Sequence, residues 1–197
     1  MEISEIKSNI ISMAEGVYEI LVLVQKGFME HKGEFLTEAI QKEHKLNDNE
    51  KGLTKSILEL SKRSKDIKAL IALEQMVETL ERMGDEATNL IERIEIKIAE
   101  HLLFSEEGVV QFNGTYDTMK MSVETMIEAL KKPSPALRAK VIDNGFKVKS
   151  LVERYREEHA ERLVKGLCTP MGANMYFDML DFTGNLARHA SNIVKLT

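Results

Sequence analysis

The chain has 197 residues, of which 43% are hydrophobic and 30% charged, and it carries a formal net charge of −5, three Pro, no Trp and a single cysteine. A chain of this length buries roughly 70% of its unfolded surface, so neither a disulfide nor a metal is needed merely to fold it. The lone Cys168 excludes an internal disulfide framework, and the lack of a basic block argues against nucleic acid as a partner. The longest apolar run, 18–24, is interrupted by Glu19 and falls far short of the roughly 20 residues that a membrane span requires.

The chain opens Met1-Glu2-Ile3-Ser4-Glu5, with acids where a signal peptide carries Lys or Arg. Together with the single cysteine, this leads us to expect a reducing, cytoplasmic setting. Leu, Ile, Met, Glu and Lys dominate, and most of these are good helix formers.

Helical spacing runs through the whole sequence. In the first segment Ile6, Ile10, Met13, Val17, Ile20 and Val24 step by three and four, and Gly33 is the expected stop. The second segment starts near Glu34 and carries Leu36, Ala39, Leu46, Leu53, Ile57 and Leu60 on its seam. Ser64 and Asp66 are expected caps for the third, which runs to about His101 with Leu70, Leu73, Val77, Leu80, Gly84, Ala87, Ile91, Ile94 and Ile98 on one side. Small residues at Gly84 and Ala87 invite close approach by a neighbouring helix.

Ser105 is the expected cap of a fourth helix, with Glu106 and Glu107 favourable beside its dipole. Gly114 is expected to weaken that helix locally. Ser134-Pro135 and Thr169-Pro170 each read as a cap followed by a first-turn proline, opening a fifth helix that ends near Gly166 and a sixth that runs to the C-terminus. The expected order is short, long, long, repeated once.

The two halves also echo each other. The stretch 84–90 (Gly-Asp-Glu-Ala-Thr-Asn-Leu) aligns with 187–193 (Ala-Arg-His-Ala-Ser-Asn-Ile), which points to duplication of a three-helix unit. The fold expected is all-α, with six helices in two tandem three-helix bundles covering 1–103 and 104–197.

Continuing the seam of the second helix at three-and-four spacing places Glu43 and Glu50 among its apolar residues, with Asn47 between them. An unpaired buried carboxylate is costly, so these need a cation, a hydrogen-bonding partner or a proton. The third helix carries a stripe of acids, Glu74, Glu78, Glu81, Asp85, Glu92 and Glu95, with Asn89 one turn beyond Asp85. If the two helices pack antiparallel, Glu43 and Glu50 meet Glu78, Glu81 and Asp85 in an oxygen-rich site suited to iron, zinc, manganese or magnesium. Two plainer readings stand beside this one: a solvated acidic face, and a second helix that bends away from the core.

The second half departs from this pattern, since Glu81 aligns with Gly184, Asp85 with Arg188 and Glu78 with Asp181. His159, Asp178, Asp181, His189 and Asn192 make up a second, polar set, although a lone helix histidine is more often structural than a ligand.

The segment 80–92 resembles the PhoU family motif Leu-Glu-Arg-Ile-Gly-Asp-His-Ala-x-Asn-Ile-Ala-Glu. It matches at Leu80, Glu81, Arg82, Gly84, Asp85, Ala87, Asn89 and Glu92, while Glu86 replaces the family's His. The C-terminal half is similar to the PhoU domain attached to bacterial sodium/phosphate cotransporters, through His159, Arg162, Leu163, Gly166 and Cys168, then Tyr176, Asp178 and Leu180, then Arg188, His189, Ala190, Asn192 and Ile193.

The resemblance implies a pair of three-helix bundles whose Glu/Asp-x-x-x-Asp motifs hold iron or zinc, and control of phosphate transport and phosphate signalling at the inner membrane face. The implied partners are a phosphate transporter, the membrane domain of a sodium/phosphate cotransporter, or a phosphate sensor kinase; a homodimer stays open. Carried over by position, the motif falls on Glu81 and Asp85 and on Glu43 and Asn47, with Gly145 and Lys149 standing at the corresponding places in the fifth helix.

Three functions compete: a regulatory interaction protein, a metal-free structural adaptor, and a di-metal carboxylate enzyme. The last needs Glu-x-x-His pairs on facing helices. The residues three before His31, His44, His101, His159 and His189 are Phe28, Gln41, Ile98, Arg156 and Leu186, so an enzyme is not expected.

Overall fold

The computed structural model describes residues 2–197; Met1, the first residue of the N-terminal reading, lies outside them. Six helices account for nearly all of it: α1 (Ile3–Glu30), α2 (Gly33–Ser61), α3 (Ile67–Ala99), α4 (Glu106–Lys131), α5 (Pro135–Val164) and α6 (Pro170–Ile193). There is no strand among the described residues. Short loops turn each helix antiparallel to the one before it.

The caps follow the sequence closely. Asp66 accepts from the Ala69 N–H, Ser105 from Gly108 and Thr169 from Gly172, each at 3.1 Å, satisfying backbone donors that a helix start leaves open. Ser134 is the residue before Pro135, but its side chain makes no capping bond. Two expectations need correction. Gly33 does not end the first helix: His31 does, in the left-handed conformation at φ 54°, and Gly33 opens α2. The short-long-long order is also absent, since the lengths are 28, 29, 33, 26, 30 and 24 residues. Helices that span one bundle from end to end must be of similar length.

The packing has pseudo-twofold symmetry. α1 contacts α2 and α3, and α2 contacts α3; α4, α5 and α6 repeat the same three pairings. The two triplets meet through α1 on α4 and α3 on α6, which leaves α2 and α5 as the outer helices. One continuous hydrophobic cluster runs through both triplets. Across the seam, the Phe28 and Phe112 ring centroids lie 4.8 Å apart, and the buried Tyr116 hydroxyl donates to the Leu21 carbonyl at 2.9 Å. The outer helices therefore bury only a stripe, and the remaining positions of that stripe face a cleft.

Candidate functional site

The symmetry produces two related clefts, α2/α3 and α5/α6. Gly84 sets the first. A Cβ added there would lie 2.7 Å from Leu46 Cδ2 and 3.6 Å from Glu43 Cγ, so α2 approaches α3 closely only because position 84 has no side chain. Glu43 is thereby driven into the core side of α2, at 6% exposure. Its Oε1 accepts a hydrogen bond from Asn47 Nδ2 at 2.6 Å, while Asn47 Oδ1 is buried without a partner. Glu50 is half-buried and accepts from the Thr54 hydroxyl at 3.0 Å.

Glu81 faces this pair from α3. Burial raises its pKa above the usual carboxylate range, and the charges of Asp85, Glu50 and Glu43 raise it further, with only Arg82 pulling the other way. Glu43, Glu50, Glu81 and Asp85 thus share one cleft and repel one another. The rest of the stripe behaves as a solvated face. Glu78 is exposed and paired with Arg82, and Glu74, Glu92 and Glu95 are exposed. Asn89 turns the other way and hydrogen-bonds Glu86, at the α3/α6 seam. As placed, no three His, Cys, Asp or Glu side chains among the described residues converge on one point in the way a bound ion requires.

The α5/α6 cleft is the symmetry mate with its chemistry changed. A Cβ on Gly145 would meet Ser191 and the Ala187 carbonyl, just as Gly84 meets Glu43; a Cβ on Gly184 would touch Val152 at 3.6 Å, where Glu81 faces Glu50 in the first repeat. Gly145, Val152 and Gly184 therefore stand in place of Glu43, Glu50 and Glu81. The result is an open cleft of about 700 Å³.

The second polar set does not form one site. Asp178 is ion-paired with Arg93 at 2.9 Å and Asp181 with Arg156 at 2.6 Å. His159 is buried, stacked on Tyr176 at 4.1 Å between ring centroids, with Nδ1 3.0 Å from Arg162. Burial and the Arg162 charge hold its pKa down at about 4. His189 is buried at the α3/α6 seam; burial and the charges of Arg188 and Arg82 likewise lower it to about 4. Both imidazoles are neutral near pH 7. Only Asp181 and Asn192 line the α5/α6 cleft.

The structure brings together two polar groups whose pairing the sequence did not show. Gln111 and Arg162 join at 2.8 Å inside the second triplet, with Tyr176 donating to Gln111 Oε1 at 3.4 Å and Glu107 ion-paired with Arg162 at 3.3 Å. At the seam, Glu86 accepts from Asn185. The signal for the first was present, since Gln111 falls on the buried face of α4, directly before Phe112 and one turn before Thr115.

Two three-helix units related by a pseudo-twofold, each with a cleft between its outer and inner long helices, define a class of duplicated helical protein. Residues 10–94 match the family model described as PhoU domain. The fold superposes on PhoU from Pseudomonas aeruginosa with a TM-score of 0.91 and 17% identity, covering 98% of this chain and 93% of that one. It also superposes on the phosphate transport system regulatory protein PhoU from Streptococcus pneumoniae with a TM-score of 0.83 and 15% identity, covering 98% and 91%. No curated protein matches by sequence. Residues 10–94 are thus similar to the PhoU domain, and the chain as a whole shares the fold of the two PhoU structures.

Proposed function

We propose that this chain regulates phosphate transport by binding another protein, rather than by turning over a substrate. The observation that carries the reading is the PhoU domain match over 10–94, on a fold that superposes along 98% of the chain on the phosphate transport system regulatory protein PhoU of Streptococcus pneumoniae. Among the described residues no helix is long and apolar enough to cross a membrane, and contact with a transporter would come from the surface of the bundle. The expected partners are a phosphate transporter, a sodium/phosphate cotransporter membrane domain or a phosphate sensor kinase, met at the cytoplasmic face of the membrane.

A divalent or ferric ion in the α2/α3 cleft belongs to the same proposal. The donor set fits in kind: hard carboxylate oxygens on two helices, held together at the expense of mutual repulsion, and a buried amide oxygen on Asn47 without a partner. Glu43, Glu50, Glu81 and Asp85 would hold the ion with Asn47. The ion would supply the positive charge that the cleft lacks, and the side chains would have to close around it. Glu78 and Asn89, engaged with Arg82 and Glu86, are the weakest members of the set.

Deleting the gene and measuring labelled phosphate uptake tests the regulatory role, with affinity capture against the three partner classes. Altered uptake together with capture of one of them supports it. Unchanged uptake, or carboxylate-dependent hydrolysis of phosphate esters by the purified chain, overturns it. For the ion, melting temperature is followed while iron, zinc, manganese or magnesium is added. A rise that is lost in the Glu81→Gln/Asp85→Asn double variant is expected, and no rise with any of the four leaves a metal-free adaptor.

A further inference from the structure

The α5/α6 cleft has the size of a small-molecule site. Its volume of about 700 Å³ lies within the range of roughly 300–1,000 Å³ typical of such pockets. The first repeat shows how it arose. The carboxylates of the α2/α3 pair are replaced by Gly145, Val152 and Gly184: position 145 is closed off by Ser191, position 184 lies against Val152, and the cleft opens beside them between α5 and α6.

The charge of the cleft is reversed as well. In the repeat register Lys149 stands for Asn47, Arg188 for Asp85 and Lys195 for Glu92. With Arg156, four cations line the cleft against two acids, Glu153 and Asp181, in a chain whose formal charge is −5. Asp181 is committed to Arg156. Glu153 reaches Lys149 only at 3.7 Å, with both side chains exposed, a geometry that contributes little. Arg188 donates to Asn185 Oδ1 at 3.0 Å, an amide rather than a carboxylate.

The α5 wall also carries apolar and aromatic groups. Phe146 is 67% exposed although it borders the cleft, beside the half-buried Ile142. Gly145 packs on Ser191 and Ala187, which sets Phe146 and Lys149 of α5 across from Arg188 and Lys195 of α6. An exposed aromatic ring next to an excess of cationic groups suits a ligand that carries a planar group and a phosphate.

We propose that the α5/α6 cleft binds a nucleoside phosphate, with Lys149, Arg188 and Lys195 holding the phosphate and Phe146 stacking on the base. Arg188 provides a planar fork of donors for phosphate oxygens, and the lysines act as point charges. The excess of two positive charges matches a phosphate monoester dianion. The volume and the exposed ring favour an organic phosphate over inorganic phosphate.

The test is calorimetric titration of the full chain at low ionic strength with AMP, GMP, CMP, UMP, inorganic phosphate and adenosine. At least one nucleotide should bind, about tenfold or more tightly than adenosine or inorganic phosphate, and should weaken with added salt. Phe146→Ala should weaken the nucleotide by about tenfold, the scale of one base–aromatic stack. Arg188→Glu should weaken it at least as much, and Arg188→Gln, which leaves the exposed helix surface nearly unchanged, should show an intermediate loss. Gly184→Glu/Arg188→Asp, which writes the first-repeat pattern into the second, should abolish binding while circular dichroism stays that of the parent. The proposal is overturned if no nucleotide binds at millimolar concentration, if Arg188→Gln leaves affinity unchanged, or if inorganic phosphate binds as tightly as the best nucleotide.

Discussion

Glu86 Oε1 accepts a hydrogen bond from Asn185 Nδ2 at 3.0 Å, tying α3 of the first repeat to α6 of the second. Burial raises the Glu86 pKa, while Asn185, Arg188 and Asn89 hold it down and Asp85 adds to the rise. The pseudo-twofold places His189 at the equivalent position, neutral and facing Arg188 and Arg82. The seam thus has an acid on one side of the axis and an uncharged imidazole on the other. A common ancestral pair has become asymmetric at the line where the repeats meet.

The Glu86–Asn185 bond should stabilise the union of the repeats. Glu86→Ala removes the acceptor and strands the Asn185 amide, with an expected loss of about 1–2 kcal/mol. Glu86→Gln keeps an acceptor without a partly buried charge and should cost less than half as much. Urea denaturation of both variants and of Asn185→Ala, combined in a double-mutant cycle, measures the coupling. A coupling near zero would mean that the seam is held by apolar packing alone.

Stability should depend on pH in two opposed ways. His159 and His189 have folded pKa values of about 4, below the roughly 6.5 of an unfolded chain. Their contribution is full above about 6.5 and is lost as pH falls towards 4, because the unfolded state takes up protons first. Glu81 has a raised pKa, so its ionisation opposes folding; the contribution of its proton is present at low pH and lost as pH rises through the folded pKa. Denaturant midpoints should therefore fall between pH 7 and pH 4.5, with a shallower slope in His189→Asn. Glu81→Gln should exceed the parent in stability at pH 7 and lose that advantage near pH 4. An advantage that persists unchanged at pH 4 would show that the charge is not the cause.

Much of this was legible in the sequence, because most of the physics is local. Helix existence followed from three-and-four spacing, and Asp66, Ser105 and Thr169 each cap as their types suggest. Glu43 was recognisable as an acid in a seam, and it is buried. Side-chain direction at long range was not legible. Asn89 lies one turn from Asp85 yet serves Glu86, because α6 packs on that side of α3. The second polar set failed to assemble for a similar reason. Arg93 and Arg156 take up Asp178 and Asp181, one across the seam and the other across the cleft, and no spacing rule within one helix reveals that. The charge reversal at Arg188 and Lys149 was visible as a departure of the second half from the first, but only the open cleft shows what it produces.

The two glycines 84 and 114 provide a sharp test of the packing, since both sit inside helices but only one is enclosed. Nothing lies within 4 Å of a Cβ built on Gly114, which faces open space on α4. Gly114→Ala should therefore stabilise the chain by about 0.5–1 kcal/mol through helix propensity alone. The same gain is available at Gly84, but there the new Cβ comes within 2.7 Å of Leu46 Cδ2. Leu46 is 3% exposed, so its methyl groups have little room to move. Gly84→Ala should lose what propensity offers and end near neutral or up to about 2 kcal/mol less stable, and Gly84→Val should cost more, about 2–4 kcal/mol. Leu46→Ala, harmful by itself, should cost less in the Gly84→Ala background, because the cavity and the added methyl compensate each other. Thermal or urea melts of these five variants decide the matter. If Gly84→Ala stabilises as much as Gly114→Ala does, α2 is not held close to α3 at Leu46, and the burial of Glu43 loses its structural cause.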